Sequence, residues 1–128
     1  MRRPHQVPLP ELSLVLLKEL RELTGWGEFL FPAQTSAKKP MSENTLNQAL
    51  RRMGFLADEV TSHGFRTTFS PFANESGLWS PDAIEVYSAR LDRNKVRRAY
   101  NRAAYWEERV VIADWWAVFL NRLQLPDL

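Results

Sequence analysis

The sequence contains no cysteine and only two histidines among its 128 residues. The absence of cysteine excludes a disulfide scaffold, a thiolate metal site and a thiol nucleophile. With histidine only at positions 5 and 63, a histidine-rich metal centre is not expected either. Long apolar runs are also missing, because a run such as Trp115 to Leu120 is far too short to span a bilayer. The early prolines interrupt the N-terminal segment before any signal peptide could form.

The chain has the length of one domain, and 45% of its residues are hydrophobic, which is enough to build one packed core. Lysine and arginine total 17 against 15 acidic residues, so the net charge is only +2. The basic residues are unevenly distributed, however, and one short stretch contains Arg90, Arg93, Lys95, Arg97, Arg98 and Arg102. Such a stretch indicates either a binding site for a polyanion such as nucleic acid or simply a solvated helix face.

Apolar spacing, capping residues and prolines predict a mainly α-helical chain with at most two short strands near the N-terminus. The predicted helices run over about 10–23, 42–53, 61–77, 81–88, 92–100 and 105–123. Residues 34–40 are expected to form a polar loop, and residues 28–31 either a small strand or a buried connector. Ser42 is the predicted N-cap of the second helix, and Pro71 predicts a kink or break near Thr67 in the third.

Two helices carry apolar stripes at helical spacing. The first helix has leucines at positions 12, 16, 20 and 23. The last helix has Trp106, Val110, Ala113, Ala117 and Leu120 along one stripe, with Trp115, Trp116 and Phe119 widening it. This last helix could pack into the core of its own chain or into a groove on a neighbouring copy.

The segment Thr61 to Arg66 is the first candidate for chemistry. A Thr or Ser cap places His63 in the first turn of a helix, with Arg66 three residues later on the same side. Free backbone N–H groups, the helix dipole and the planar guanidinium would together favour a phosphate group. The alternative is a capping histidine beside a surface arginine.

The second candidate is Tyr100 within the basic stretch. Nearby arginines favour the phenolate over the phenol, and a phenolate is a competent nucleophile toward a phosphodiester. The alternative is an amphipathic tyrosine that packs its ring and exposes its hydroxyl.

Taken together, the motifs resemble the catalytic domain of phage-type tyrosine recombinases, the integrases of temperate phages and genomic islands. The resemblance rests on Pro4-His5-Gln6-Val7-Pro8-Leu9, Phe29-Leu30-Phe31-Pro32, Met41 to Asn47, Arg51 to Gly54, His63-Gly64-Phe65-Arg66, Ala73-Asn74-Glu75 and Asn94 to Arg102. It covers nearly the whole chain.

The resemblance implies double-stranded DNA as partner and strand exchange by transesterification, without metal or other cofactor, in the cytoplasm of a bacterial or phage-infected cell. It implies that Tyr100 is the nucleophile, that Arg66 and Arg90 hold the phosphate, and that His63 donates a hydrogen bond or moves a proton. The remaining basic residues of the stretch, Arg93, Lys95, Arg97, Arg98 and Arg102, are the expected DNA-binding residues. The C-terminal helix is the expected surface for a homo-oligomer.

Three features depart from the family pattern. A family arginine in a Thr-Gly-x-Arg context and a family lysine on a β-hairpin, both upstream of the Pro-His-x-Val-Pro-Leu stretch, have no counterpart in the chain. Arg90 stands where the family usually has histidine, and arginine cannot exchange a proton at neutral pH. We therefore interpret residues 1–128 as a partial catalytic domain, without the N-terminal DNA-binding domains, that is inactive alone. The alternative is a non-catalytic module that binds DNA or a full-length integrase.

Overall fold

The structure, a computed structural model, describes residues 5–89 and 105–124. Five helices and one two-stranded sheet lie within these ranges. The helices are α1 (Glu11–Thr24), α2 (Thr45–Arg52), α3 (Ser62–Glu75), α4 (Pro81–Tyr87) and α5 (Trp106–Arg122), and the strands are β1 (Pro32–Ala33) and β2 (Ser36–Pro40). The expectation of a mainly helical chain with at most two short strands is thus confirmed. The expected helix over 92–100 lies outside the described residues.

The chain divides into two compact units. The N-terminal unit is residues 12–66, which include most of α1, the β-hairpin, α2 and the first residues of α3. The C-terminal unit is residues 1–11 and 67–128, which include the rest of α3 together with α4 and α5.

The N-terminal unit has almost no interior of its own. Of residues 12–66, all of which are described, only Leu50 is buried. The leucine stripe on α1 forms at the predicted spacing but is open to solvent, with Leu16 at 65% and Leu23 at 73% exposure. The unit is therefore held largely by backbone hydrogen bonds and caps rather than by a packed core.

The β-hairpin corrects the expected polar loop. Residues 36–40 form β2, which pairs antiparallel with β1 so that Pro32 lies opposite Pro40. The sequence signal for a strand was weak because β2 lacks apolar alternation and is rich in lysine. Prolines at the outer ends are tolerated in a two-stranded sheet, where both strands are edges. Residues 28–31 form no strand, and Leu30 and Phe31 are each 48% exposed, so both alternatives expected for this run, a small strand and a buried connector, are wrong.

The helix α2 starts later than predicted. Its N-cap is Asn44, whose side chain makes no capping bond, while the Ser42 hydroxyl lies 2.9 Å from Thr45 Oγ1. The assignment of Ser42 as the cap is therefore wrong. The helix ends as predicted, because Gly54 adopts φ +98° and its N–H donates to the Arg51 carbonyl at 3.0 Å. Glycine suits this left-handed position because it has no Cβ.

The C-terminal unit contains the hydrophobic core. Its buried members come from α3, α4 and α5, and they are Phe69, Ala73, Ala83, Ile84 and Ile112. Partly buried aromatic rings pack around them, including Trp79, Tyr87, Tyr105, Trp115 and Trp116. Aromatic pairs at such distances add to the stability from area burial, as in the Phe69–Trp116 edge contact at 5.3 Å between ring centroids.

The helix α3 is continuous through Pro71, so the expected break near Thr67 is absent. Phe69 and Ala73 on either side of the proline are both buried in the core. Tertiary packing of these residues offsets the cost of proline within the helix, which is about 3 kcal/mol in an isolated helix.

The inward face of α5 differs from the predicted stripe. The buried residues are Arg109, Ile112 and Ala113, whereas Trp106, Val110 and Leu120 are exposed. Arg109 is only 2% exposed, and its guanidinium donates to the Gln6 carbonyl and lies over the Trp106 ring. Apolar periodicity could not predict this face, because a buried arginine occupies a position that the pattern assigns to solvent.

Candidate functional site

The first turn of α3 carries the predicted phosphate-binding pair. Thr61 is the N-cap, since its Oγ1 accepts a hydrogen bond from the Gly64 N–H at 3.0 Å. Of the two predicted caps, threonine and serine, it is therefore the threonine that caps the helix. His63 and Arg66 are both exposed and are three residues apart on the helix. Residues at this spacing share a face, so one anion could contact both side chains.

Two of the backbone N–H groups at this end, which were expected to be free to bind phosphate, already have partners within the chain. The Ser62 N–H donates to Asn47 Oδ1 at 2.8 Å, and the Gly64 N–H is used by the Thr61 cap. A Cβ added at Gly64 would lie 3.2 Å from Thr61 Oγ1, which is tighter than an ordinary contact. The capacity to bind a phosphate at this end therefore depends mainly on the His63 and Arg66 side chains.

Two polar residues of α2 contact the start of α3, a role that was not predicted for either of them. Asn47 accepts from Ser62, and the Arg51 Nη2 donates to the carbonyl of Val60. The signal that could have found them is their spacing of four, which places both polar side chains on one side of α2.

The elements on either side of residues 90–104 are joined to each other. The Glu108 carboxylate of α5 accepts from the Ser80 N–H at 2.8 Å and from the Ser80 hydroxyl at 3.1 Å, at the N-terminus of α4. A carboxylate is favoured at that end by the helix dipole. The Tyr105 hydroxyl also donates to Asp82 Oδ2 at 3.4 Å. The N-terminus of α4 and the start of α5 are thus held together by these hydrogen bonds.

The two tyrosines within the described residues have structural environments. Tyr87 packs against the core, and burial raises the pKa of its phenol, although the nearby Arg109 guanidinium acts in the opposite direction. A raised pKa disfavours the phenolate that nucleophilic attack needs. Tyr105 uses its hydroxyl on Asp82. Neither environment suits a nucleophile.

The remaining predicted site residues lie outside the described residues. They are Arg90, Tyr100 and the DNA-binding set Arg93, Lys95, Arg97, Arg98 and Arg102. The roles implied for them beside His63 and Arg66 therefore stay predictions. In the part of the chain that is described, no three acidic or histidine side chains come together as metal ligands. No helix within 5–89 or 105–124 is both long and apolar enough to cross a membrane.

Comparison with known proteins identifies the family. The sequence model of the phage integrase family matches residues 1–107, a span that includes His63, Arg66 and Tyr100. The chain belongs to this family. Its resemblance to the phage integrases, seen first in short motifs, is therefore confirmed over most of its length.

Curated integrases match the chain at high identity but are much longer. The integrase of Enterobacteria phage P4 is 45% identical over 123 residues, which is 94% of this chain and 28% of that protein. The putative protein IntB of Escherichia coli K12 is also 45% identical, over 94% of this chain and 31% of that protein. The prophage integrase IntA of the same strain is 44% identical, over 91% and 28% respectively. The chain thus spans under a third of these integrases, and no solved structure has a significant match to it.

Proposed function

We propose that this chain is a section of an integrase catalytic domain that binds double-stranded DNA and contributes phosphate ligands and the nucleophile for site-specific recombination. The observation that carries the proposal is the family match over residues 1–107, because it includes both candidate motifs in one span. The exposed His63 and Arg66 on the capped start of α3 support it independently, since they could contact one phosphate.

The proposed reaction is a transesterification that needs only the residues of the protein. The Tyr100 oxygen attacks the scissile phosphorus, a 3′-phosphotyrosyl bond forms, and the bond to the 5′ oxygen of the next nucleotide breaks. Arg66 and Arg90 stabilise the charge that develops on the phosphate oxygens. His63 moves a proton or donates a hydrogen bond, a function suited to imidazole near neutral pH.

We propose that the 128-residue chain alone binds DNA without cutting it. The upstream arginine and lysine that the family pattern requires are not found among these residues, and Arg90 replaces a histidine. The basic stretch, by contrast, contains six cationic side chains within 90–102. Phosphate contacts by such residues supply most of the affinity in sequence-independent binding.

We expect weak DNA binding that depends steeply on salt. Each neutralised phosphate contributes about −0.9 to the slope of log affinity against log salt concentration. Neutralising Arg97 and Arg98 together to glutamine should therefore reduce the slope by about 1.8 units. Fluorescence anisotropy of a labelled duplex over a salt series measures this slope. A slope unchanged by the double substitution, with the fold intact by circular dichroism, would contradict the assignment of this stretch.

The second candidate function is a non-catalytic module that binds a full-length integrase. The exposed leucine stripe of α1 favours it, because no residue of α1 is buried. Exposed apolar surface of this kind is typical of interaction sites. The two candidates differ in whether Tyr100 ever becomes attached to DNA.

We also propose that α5 supports a homo-oligomer. Val111 and Val118 are about half exposed on this helix, at 51% and 48%, while Trp115, Trp116 and Phe119 pack against other rings of the C-terminal unit. A dimer through this face should dissociate when Val111 and Val118 are both changed to aspartate. Sedimentation velocity at several concentrations is the measurement. A strict monomer at high concentration in the unaltered chain would remove the proposal.

A further inference from the structure

The start of α3 is held by α2 at two points on the main chain. Asn47 Oδ1 accepts from the Ser62 N–H at 2.8 Å, and Arg51 donates to the Val60 carbonyl. These contacts bracket Thr61, whose side chain caps the same helix. Three consecutive residues, 60–62, are thus tied either to α2 or to the first turn of α3.

The contact made by Arg51 also carries a cost in free energy. Arg51 Nε is buried and has no hydrogen-bond partner among the described residues. A buried donor without a partner costs free energy. Buried polar groups without a hydrogen-bond partner are tolerated mainly at functional sites, where a particular geometry is needed.

The contacts from α2 affect the direction in which the His63 and Arg66 side chains leave α3. Both side chains are exposed, so little packing around them fixes their directions. Their directions are therefore set by the position of the helix backbone. Small misplacements of groups that hold a reacting phosphate can cost about a hundredfold in rate.

We propose that Asn47 is a positioning residue for the phosphate-binding pair. Its amide oxygen takes the first N–H of α3 and so fixes the direction in which His63 and Arg66 leave the helix. Asn47 itself does not contact the phosphate. The inference rests on the proposed function, in which Arg66 binds a DNA phosphate.

Asn47→Ala tests the inference without changing any charge. We expect the affinity for a labelled duplex to fall about two- to tenfold, as for the loss of one hydrogen bond. The salt slope should also fall, by up to about 0.9 units, because a misdirected Arg66 no longer neutralises its phosphate. A purely structural role for Asn47 would not lower the salt slope of a folded variant.

A double-mutant cycle with Arg66→Ala identifies the route of the effect. If Asn47 acts through Arg66, adding Asn47→Ala to Arg66→Ala should cause no further loss of affinity. Gln48→Ala, an exposed neighbour on the same helix, is the matched control and should leave affinity and slope unchanged.

Ser62→Pro keeps the test decisive if Asn47→Ala does not fold. This variant removes the same N–H donor at the first helical position, where proline is favoured. It should reproduce the lower affinity and the lower slope. If Arg66→Ala lowers affinity while both Asn47→Ala and Ser62→Pro leave it unchanged, the positioning role is overturned and the proposed function stands. If Arg66→Ala itself has no effect, the proposed phosphate contact fails.

Discussion

Replacing Arg109 with alanine should lower the free energy of unfolding by about 3–5 kcal/mol. The side chain is 2% exposed, so its removal leaves a cavity beside Ile112 and Ala113. It also removes the donor to the Gln6 carbonyl and the cation over the Trp106 ring, 5.4 Å from the ring centroid. Urea unfolding followed by tryptophan fluorescence measures the loss, because most of the tryptophans lie in the same unit.

Arg109→Met separates packing from charge. Methionine keeps most of the volume and has no buried charge, so we expect a loss of only about 1 kcal/mol, from the Gln6 carbonyl. Arg52→Ala, at an exposed arginine, should change stability by less than about 0.5 kcal/mol. Equal losses for Arg109→Ala and Arg109→Met would show that the guanidinium contacts, and not the filled volume, stabilise the core.

The helix positions could be predicted because their signals are local. Ser80 and Pro81 form a cap and first position, and in the structure the Ser80 hydroxyl does accept from the Ala83 N–H at 3.3 Å. Thr61 and Gly54 likewise mark an end of a helix through short-range contacts. Such contacts depend on a few neighbouring residues and are readable from sequence.

The inward faces could not be predicted with the same success, because they depend on tertiary contacts. The leucine stripe on α1 contains no buried residue, while a single arginine on α5 is buried. The strand β2 forms because a turn at residues 34–35 lets it pair with β1, and its lysine-rich composition carries no strand signal. Apolar periodicity predicts that a helix has an apolar and a polar face, but it does not predict which residues pack against another element.

In the candidate site too, the local features could be predicted from the sequence and the tertiary contacts could not. The placement of His63 and Arg66 on a capped helix start followed from residue types and spacing alone. The supporting contacts from Asn47 and Arg51 did not, since they join residues fifteen and nine positions apart. Their polar side chains look like ordinary surface positions until the two helices are placed together.

The 128-residue chain should form no detectable covalent adduct with DNA. In the proposed reaction, positioned donors stabilise the charge on the phosphate, and loss of one typically costs about a hundred- to a thousandfold in rate. Two donors of the family pattern have no counterpart among the 128 residues, and on the proposed assignment Arg90 takes the place of a third. Losses within one site need not add, but we expect the loss of one or two donors to reduce cleavage below detection. A nicked duplex that traps the phosphotyrosyl product, followed by mass spectrometry, is the measurement.

An active integrase on its own attachment site serves as the positive control, and Tyr100→Phe in the present chain serves as the negative one. An adduct that maps to Tyr100 and disappears in Tyr100→Phe would show that the 128 residues alone suffice for the chemistry. The interpretation as an inactive section would then be wrong, and Arg90 would have to replace the missing donors by charge alone, since it cannot exchange a proton. An adduct on Tyr105 would instead reverse the assignment of the nucleophile, against the hydrogen bond that its hydroxyl makes with Asp82.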